Sequence, residues 1–327
     1  GSGNIMTAPP LCILMATCDG GRYLREQIAS IQAQTRRDWV LLARDDGSVD
    51  GTRDILRELA KQEPRMTLVG GDEGRGLGAA RNFGALMARA LRSDSRIFFF
   101  SDQDDVWLPD KLEKQAAAFP DGGGEPGPLL VHSDLRVVGE SLAPIAPSFM
   151  AHMALDPRPA DPLGYLLTRN FVTGCATAAN RSLMEYALPI PPDAIMHDWW
   201  LALLAGAWGG IDYIDEALVL YRQHGSNTIG AKSFWHGLNP THNWWAGWRA
   251  GNREFRATLT QAEALLSHGD GRNRLPEAAL ELAAAYAEIL DLGKKDRLAR
   301  AGQLGLRQGN RLLQLILYAR LMTLHHR

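Results

Sequence analysis

A chain of 327 residues, 46% hydrophobic and 22% charged with a formal net charge of −2, carries enough apolar material for one large domain plus a smaller appendage and is not a disordered protein. No apolar run reaches bilayer length and no basic-then-apolar leader opens the chain, which excludes a spanning or exported protein on this reading. Three cysteines, Cys12, Cys18 and Cys175, are too few and too scattered for a disulfide framework or a zinc site, so a reducing, cytoplasmic setting is expected.

Gly1 to Ile5 read as a cloning remnant ahead of Met6 and are left out of fold reasoning. Leu11 to Thr17 is an apolar run ending in the turn signal Cys18-Asp19-Gly20-Gly21, a strand. Tyr23, Leu24, Ile28 and Ile31 then recur at helical spacing, and Trp39 to Ala43 gives a second strand running into Arg44-Asp45-Asp46-Gly47-Ser48. Asp50-Gly51-Thr52 leads into an amphipathic helix through Ile55, Leu56, Leu59 and Ala60, followed by a strand at Met66 to Val69. A glycine-rich stretch, Gly70 to Gly78, precedes a helix from Ala79 to about Leu91 and the strand at Ile97. This rhythm predicts an α/β fold with a doubly wound, mostly parallel sheet flanked by helices.

Residues 120–128 read as a loop, and Leu129 to Asp134 resumes as a strand. Residues 143–162, rich in Pro, Ala and Met without a period, are expected to form a mobile flap or irregular loop. From about Gly247 the chain turns helical, with runs at Ala278 to Leu292 and Leu304 to Leu324, broken near Gly271 and Gly293. Charge divides the same way: residues 1–231 hold 21 Lys+Arg against 29 Asp+Glu, and residues 232–327 hold 14 against 8. The basic tail suits either an anionic membrane surface or an ordinary solvated helical face.

The most informative segment is Ile97-Phe98-Phe99-Phe100-Ser101-Asp102-Gln103-Asp104-Asp105-Val106-Trp107, an apolar strand that ends in three carboxylates. Ligands of open α/β sheets bind at such strand ends, and a cluster of acids there calls for a hard divalent cation carrying a diphosphate. One helix cap needs only one acid, so capping alone does not explain the cluster.

The string Asp102-Gln103-Asp104-Asp105-Val106-Trp107-Leu108-Pro109-Asp110-Lys111-Leu112 resembles glycosyltransferase family 2 of GT-A fold, and rhamnosyltransferase-like members in particular, with further motifs from Cys12 to about Thr228. The resemblance implies an inverting, metal-dependent glycosyltransferase. Its expected nucleotide and donor contacts are Thr17, Asp19, Gly20, Asp46, Arg81, Asn82, Asp102, Gly174 and Arg222. Asp46 resembles the acid that accepts the N3–H of uracil or thymine, which cytosine lacks. Asp104 and His224 are the expected ligands of Mg²⁺ or Mn²⁺, and Asp198, set among apolar neighbours in Met196-His197-Asp198-Trp199-Trp200, is the expected general base. His197, Trp199 and Trp200 are expected to touch the acceptor or the sugar, with at least one tryptophan equally at home in the core.

The implied donor is dTDP-L-rhamnose and the implied acceptor a growing surface polysaccharide or lipid-linked glycan; another UDP-sugar donor, or a non-catalytic nucleotide-sugar binder, is the alternative. No nucleic-acid partner is expected. The implied organisation is a GT-A catalytic domain over 7–231 and a helical C-terminal extension over 232–327. That extension, with the tryptophan-rich Phe234-Trp235-His236 to Trp244-Trp245-Ala246-Gly247-Trp248-Arg249, is expected to touch the inner face of the cytoplasmic membrane or to form a packing or oligomer seam. Gly74-Arg75-Gly76-Leu77-Gly78-Ala79 approximates a dinucleotide fingerprint, but it follows the third strand and not the first, and no P-loop sequence occurs.

Overall fold

The structure, a computed structural model, describes residues 9–70, 76–123, 127–224, 244–268, 275–306, 308 and 311–325. Its first part runs β1 (Leu11–Thr17), α1 (Gly21–Gln32), β2 (Trp39–Asp45), α2 (Thr52–Gln62), β3 (Met66–Leu68), α3 (Ala79–Ala90), β4 (Ile97–Ser101), β5 (Val106–Trp107) and α4 (Lys111–Ala117). There follow β6 (Leu130–Val138), β7 (Pro144–Ala146), α5 (Phe149–His152), α6 (Pro162–Thr168), β8 (Thr177–Asn180), α7 (Arg181–Ala187), α8 (His197–Ala207) and β9 (Ile211–Arg222). The last helices are α9 (Trp244–His268), α10 (Glu277–Ala287), α11 (Lys294–Gln303) and α12 (Arg311–Thr323).

One sheet takes the order β3-β2-β1-β4-β8-β6-β9-β5, with β7 paired to β6. The first four strands are parallel, as the alternation of strands and helices predicts. Beyond β4 the sheet becomes mixed: β8 runs antiparallel to both β4 and β6, β9 is parallel to β6, and β5 is antiparallel to β9. Strand β1 is apolar nearly throughout because helices cover both faces, and its successive side chains divide between the two layers. Ile13 and Met15 pack with Leu24, Ile28, Leu56, Phe99 and Leu112. Cys12 and Leu14 pack on the other face with Phe83, Leu86, Phe98, Phe100 and Trp200.

The second of these clusters continues without a break into Phe255, Leu259 and Leu265 of α9, Ala283 and Tyr286 of α10 and Leu321 of α12. The chain's basic tail is therefore packed on the same core as α3 and α8. The boundary expected at 231 and 232 lies outside the described residues, as do Phe234, Trp235 and His236.

Residues 143–162 are more ordered in pattern than a flap. The buried Asp134 carboxylate accepts the amides of Leu135, Phe149 and Met150 at 2.7, 3.0 and 3.1 Å, which anchors α5 to β6. Ser148 caps α5, and Asp161 with Pro162 opens α6 by accepting the Gly164 amide at 3.0 Å. These are local polar devices, which is why an apolar period did not reveal them. Among the described residues no helix is long and apolar enough to cross a membrane.

Candidate active site

Parallel pairing brings Thr17 opposite Asp45 and Met15 opposite Ser101, so the loops after β1, β2 and β4 emerge along one edge. In the β1 loop, buried Thr17 donates to Asp45 Oδ1 at 3.1 Å, and Asp45 also accepts the Ser48 amide at 3.0 Å. Asp19 has φ 49 and accepts the Val49 amide at 2.7 Å, so this pair of loops is tied from both sides. Gly20 donates its amide to Thr52 Oγ1 at 2.9 Å.

A residue that sequence reasoning passed over, Gln103, closes this corner. Its side-chain amide donates to the Cys18 carbonyl and accepts from the Cys18 N–H, both at 2.8 Å. A Cβ on Gly20 would sit 2.0 Å from Gln103 Oε1. Glycine is thus required by the clasp that joins the β1 loop to the acidic loop.

Asp46, only 8% exposed, is enclosed by donors: its Oδ1 accepts from Arg44 at 3.1 Å and from the Leu77 amide at 2.8 Å, and its Oδ2 accepts the Gly78 amide at 2.8 Å. Arg44 also donates to Asn82 Oδ1 at 2.8 Å. Asp46, Arg44 and the buried Asn82 form a polar knot under the start of α3, whereas Arg81 points to solvent. Accepting a pyrimidine N3–H would require Asp46 to share an oxygen already used by a backbone amide. Arg44, the hub of the knot, carried no signal beyond its place beside Asp45-Asp46.

Past β4 the carboxylates crowd together. Asp102 and Asp104 are half-buried and Asp105 is fully buried. Burial first, then the charges of Asp104 and Asp198, push Asp102 up to about 7. Burial likewise holds Asp105 well above the usual carboxylate range, with Asp104 and Asp102 adding to it. The donor atoms of Asp102, Asp105 and Cys175 lie within 4.8 Å of one another. Lys111 beneath them is fully buried between Phe99 and Trp107, and burial brings its amine down to about 7. It compensates the acids poorly for that reason.

Asp104 Oδ2 lies 2.7 Å from His224 Nε2. A carboxylate and an imidazole at the rim of an acid cluster that resists ionisation make a donor set that fits a hard divalent cation, whose charge would relieve the crowding.

Asp198 stands in the first turn of α8, where an acid suits the helix dipole; the cap residue is Met196. Its Oδ2 accepts the Gly174 amide at 2.9 Å and its Oδ1 the Trp199 amide at 2.6 Å. Burial raises its carboxyl to about 6 despite those donors. A Cβ on Gly174 would lie 3.0 Å from His197 Nε2 and 3.5 Å from Asp198 Oδ2. Gly174→Ala therefore presses on His197 by a few tenths of an ångström while Asp198 stays at ordinary contact distance, and turnover is expected to fall by less than the roughly 10²-fold cost of a full ångström of misplacement. Kinetics alongside a melting curve should show a modest loss in both.

Two expected sugar contacts are corrected. His197 is 2% exposed, stacked 3.8 Å from the Phe83 ring centroid, and burial lowers its pKa to about 3. Trp200 is fully buried and donates to the Ala187 carbonyl at 3.1 Å. Both are core groups because α8 turns that side toward α3 and the sheet. Trp199 keeps partial exposure, with its indole N–H on the Leu166 carbonyl at 2.7 Å. Arg222, expected on a phosphate, is 2% exposed and donates through Nε to the Asp104 carbonyl at 2.7 Å.

Residues 12–125 match the family model Glycosyl transferase family 2. The chain is 35% identical over 108 residues to a Bacillus subtilis protein assigned as the teichuronic acid biosynthesis glycosyltransferase TuaG, covering 33% of this chain and 40% of that one. It is 26% identical over 225 residues to the dTDP-rhamnosyl transferase RfbG of Shigella flexneri, covering 66% of this chain and 74% of the relative. Among solved structures, the mannosyltransferase PcManGT from Pyrobaculum calidifontis, in complex with GDP-Man and Mn²⁺, superposes with a TM-score of 0.52 at 19% identity, covering 97% of this chain and 86% of that one. The fold is that of the GT-A glycosyltransferases.

Proposed function

We propose, from the premise that residues 12–125 are a glycosyltransferase family 2 domain on a GT-A sheet, that this protein is an inverting, metal-dependent glycosyltransferase moving L-rhamnose from dTDP-L-rhamnose to a hydroxyl of a surface polysaccharide or lipid-linked glycan. The observation that carries the chemistry is that Asp198 accepts the Gly174 amide while the next residue, Cys175, has its sulfur within 4.8 Å of donor atoms of Asp102 and Asp105, which brings base and acidic loop to the same end of the sheet. The rhamnosyl donor is supported by the likeness to RfbG and by the wording of Asp102 to Trp107 and His197 to Trp200.

In this reading Asp104 and His224 would hold the divalent cation that carries the diphosphate, with Asp102 toward the ribose or a metal-bound water. Asp198 accepts the acceptor hydroxyl's proton on a carboxylate lone pair left over from its two amide bonds. The hydroxyl oxygen forms the new bond to the anomeric carbon as the bond to the diphosphate oxygen breaks, and the nucleoside diphosphate leaves with the electron pair. A bound Mg²⁺ or Mn²⁺ supplies charge neutralisation for that leaving group. Direct displacement yields a product of opposite anomeric configuration to the donor.

A thermal-shift panel of dTDP, UDP and GDP with and without Mn²⁺ tests the donor side, since a ligand of the folded state alone raises Tm. A manganese-dependent shift is expected, larger with dTDP than with UDP. Preference for UDP would move the donor to a UDP-sugar, and no shift with any nucleotide would sink the transferase reading.

We further propose peripheral contact with an anionic membrane. Leu312, Leu315 and Tyr318 of α12 are 54%, 64% and 36% exposed along one side of the helix. Residues 297–327 hold six arginines and no acid. Exposed apolar side chains on a helix in an arginine-rich, acid-free stretch of sequence match the interfacial pattern. Flotation with phosphatidylglycerol vesicles should carry the protein up, less so in raised salt and less with Leu315→Ser; equal behaviour with neutral vesicles would count against it.

A further inference from the structure

Arg222 closes β9, and its buried guanidinium is spent on the protein itself. Nε donates to the Asp104 carbonyl at 2.7 Å, one terminal nitrogen donates to the Glu140 carbonyl, and the other meets the Glu26 carboxylate of α1. The main-chain N–H of Arg222 donates to Asp105 Oδ1 at 3.1 Å. Its guanidinium lies 4.5 Å from the Tyr23 ring centroid, and that ring stands 5.0 Å from the ring of His224. Two residues beyond Arg222, His224 meets Asp104 at 2.7 Å.

We propose that Arg222 is a positioning residue whose guanidinium clamps the main chain of Asp104 onto the end of β9, beside the Asp105 carboxylate that its own N–H already holds, and so keeps the Asp104 carboxylate opposite His224. This rests on the reading of Asp104 and His224 as cation ligands. The two come from loops 120 residues apart in sequence, so their spacing must be set by something that touches both strands. The planar guanidinium does that in three directions at once, toward the acidic loop, α1 and the turn after β6. A lysine offers a point charge without the fork. Glu26 supplies the counter-charge that a buried guanidinium needs. A phosphate would have to displace one of these partners to reach the same nitrogens.

The test is Mn²⁺ binding to the full chain by electron paramagnetic resonance, without nucleotide, for wild type, Arg222→Lys and the milder Glu26→Gln. Calorimetry with dTDP and with thymidine accompanies it. Loss of an outer group that orients a ligand costs about 10–100-fold in metal affinity, so Arg222→Lys should weaken Mn²⁺ by at least tenfold, and Glu26→Gln should move it in the same direction. Thymidine affinity should not change. If Mn²⁺ affinity is intact in both variants and Arg222→Lys weakens dTDP but not thymidine, Arg222 is a phosphate contact and the clamp is wrong. If wild type binds no Mn²⁺, the cation reading fails, and the clamp is then judged by hydrogen exchange: faster exchange at the amides of residues 103–106 in Arg222→Lys sustains it, and unchanged exchange overturns it.

Discussion

Asp198→Asn should lower turnover by about 10²–10⁴-fold, the range general-base catalysis supplies, while dTDP binding with Mn²⁺ persists. Asparagine keeps the shape and can still accept the Gly174 amide through its side-chain oxygen, at the cost of the hydrogen bond from the Trp199 amide, which its NH₂ cannot accept. Stability gives an independent sign. The folded pKa of about 6 lies above the ordinary aspartate value of 3.8, so the folded state favours the protonated form, and wild type loses stability as pH rises from about 4 through 6. An uncharged asparagine escapes that cost and also removes one of the charges acting on Asp102. At pH 8 that relief offsets the lost Trp199 hydrogen bond, and the variant should melt close to the wild-type temperature while nearly inactive. Wild-type kcat/KM should climb as pH rises through about 6, where Asp198 gives up its proton. Full turnover in Asp198→Asn would remove it from the role of base.

Asp104→Ala should abolish the manganese-dependent part of the nucleotide shift and lower turnover by about 10³-fold or more, because charge stabilisation of the departing diphosphate is worth several kcal/mol. It also takes away the 2.7 Å partner of His224. Two measurements separate this from a general loss of structure: the apo melting temperature should stay close to wild type, since a like-charged neighbour of Asp102 has gone, and thymidine, which has no phosphate, should bind as before. A variant that still showed the full manganese-dependent shift would place the cation elsewhere in the cluster. His224→Ala should move in the same direction by a smaller amount, as one ligand of a hard ion is replaced more readily by water than a carboxylate is.

Elements fixed by apolar periodicity were legible in the sequence: β1, β2, β3, α3 and β4 all lie where their hydrophobic patterns put them. The acidic loop was legible because three carboxylates after a buried strand are hard to explain otherwise. What the sequence concealed was direction and facing. Nothing local in Thr177 to Asn180 says that β8 enters the sheet antiparallel between β4 and β6. Nor does the string His197-Asp198-Trp199-Trp200 say which side chains turn inward; helical geometry sends His197 and Trp200 to the core and leaves Asp198 and Trp199 near the crevice. Arg222 poses a similar problem, since a cation near a supposed phosphate site and a cation buried against carbonyls look alike as letters. Gln103 gave no signal at all, because its value lies in contacts with Cys18, 85 residues away.

The Gln103 clasp and the Asp104–His224 pair span 85 and 120 residues, and that difference sets an order in time. A chain made from its N-terminus has all four parallel strands by Ser101 and the clasp two residues later. The strand that brings Arg222 and His224 is added only after more than a hundred further residues have left the ribosome. The corner between the β1 and β2 loops can therefore assemble early from nearer contacts, whereas the Asp104–His224 end waits for a longer loop closure. Pulsed hydrogen exchange during refolding should protect the Cys18 and Val49 amides before that of Arg222; simultaneous protection would show that the sheet forms in one step. An unfinished chain would on this account hold the Gln103 clasp before it could bring His224 to Asp104.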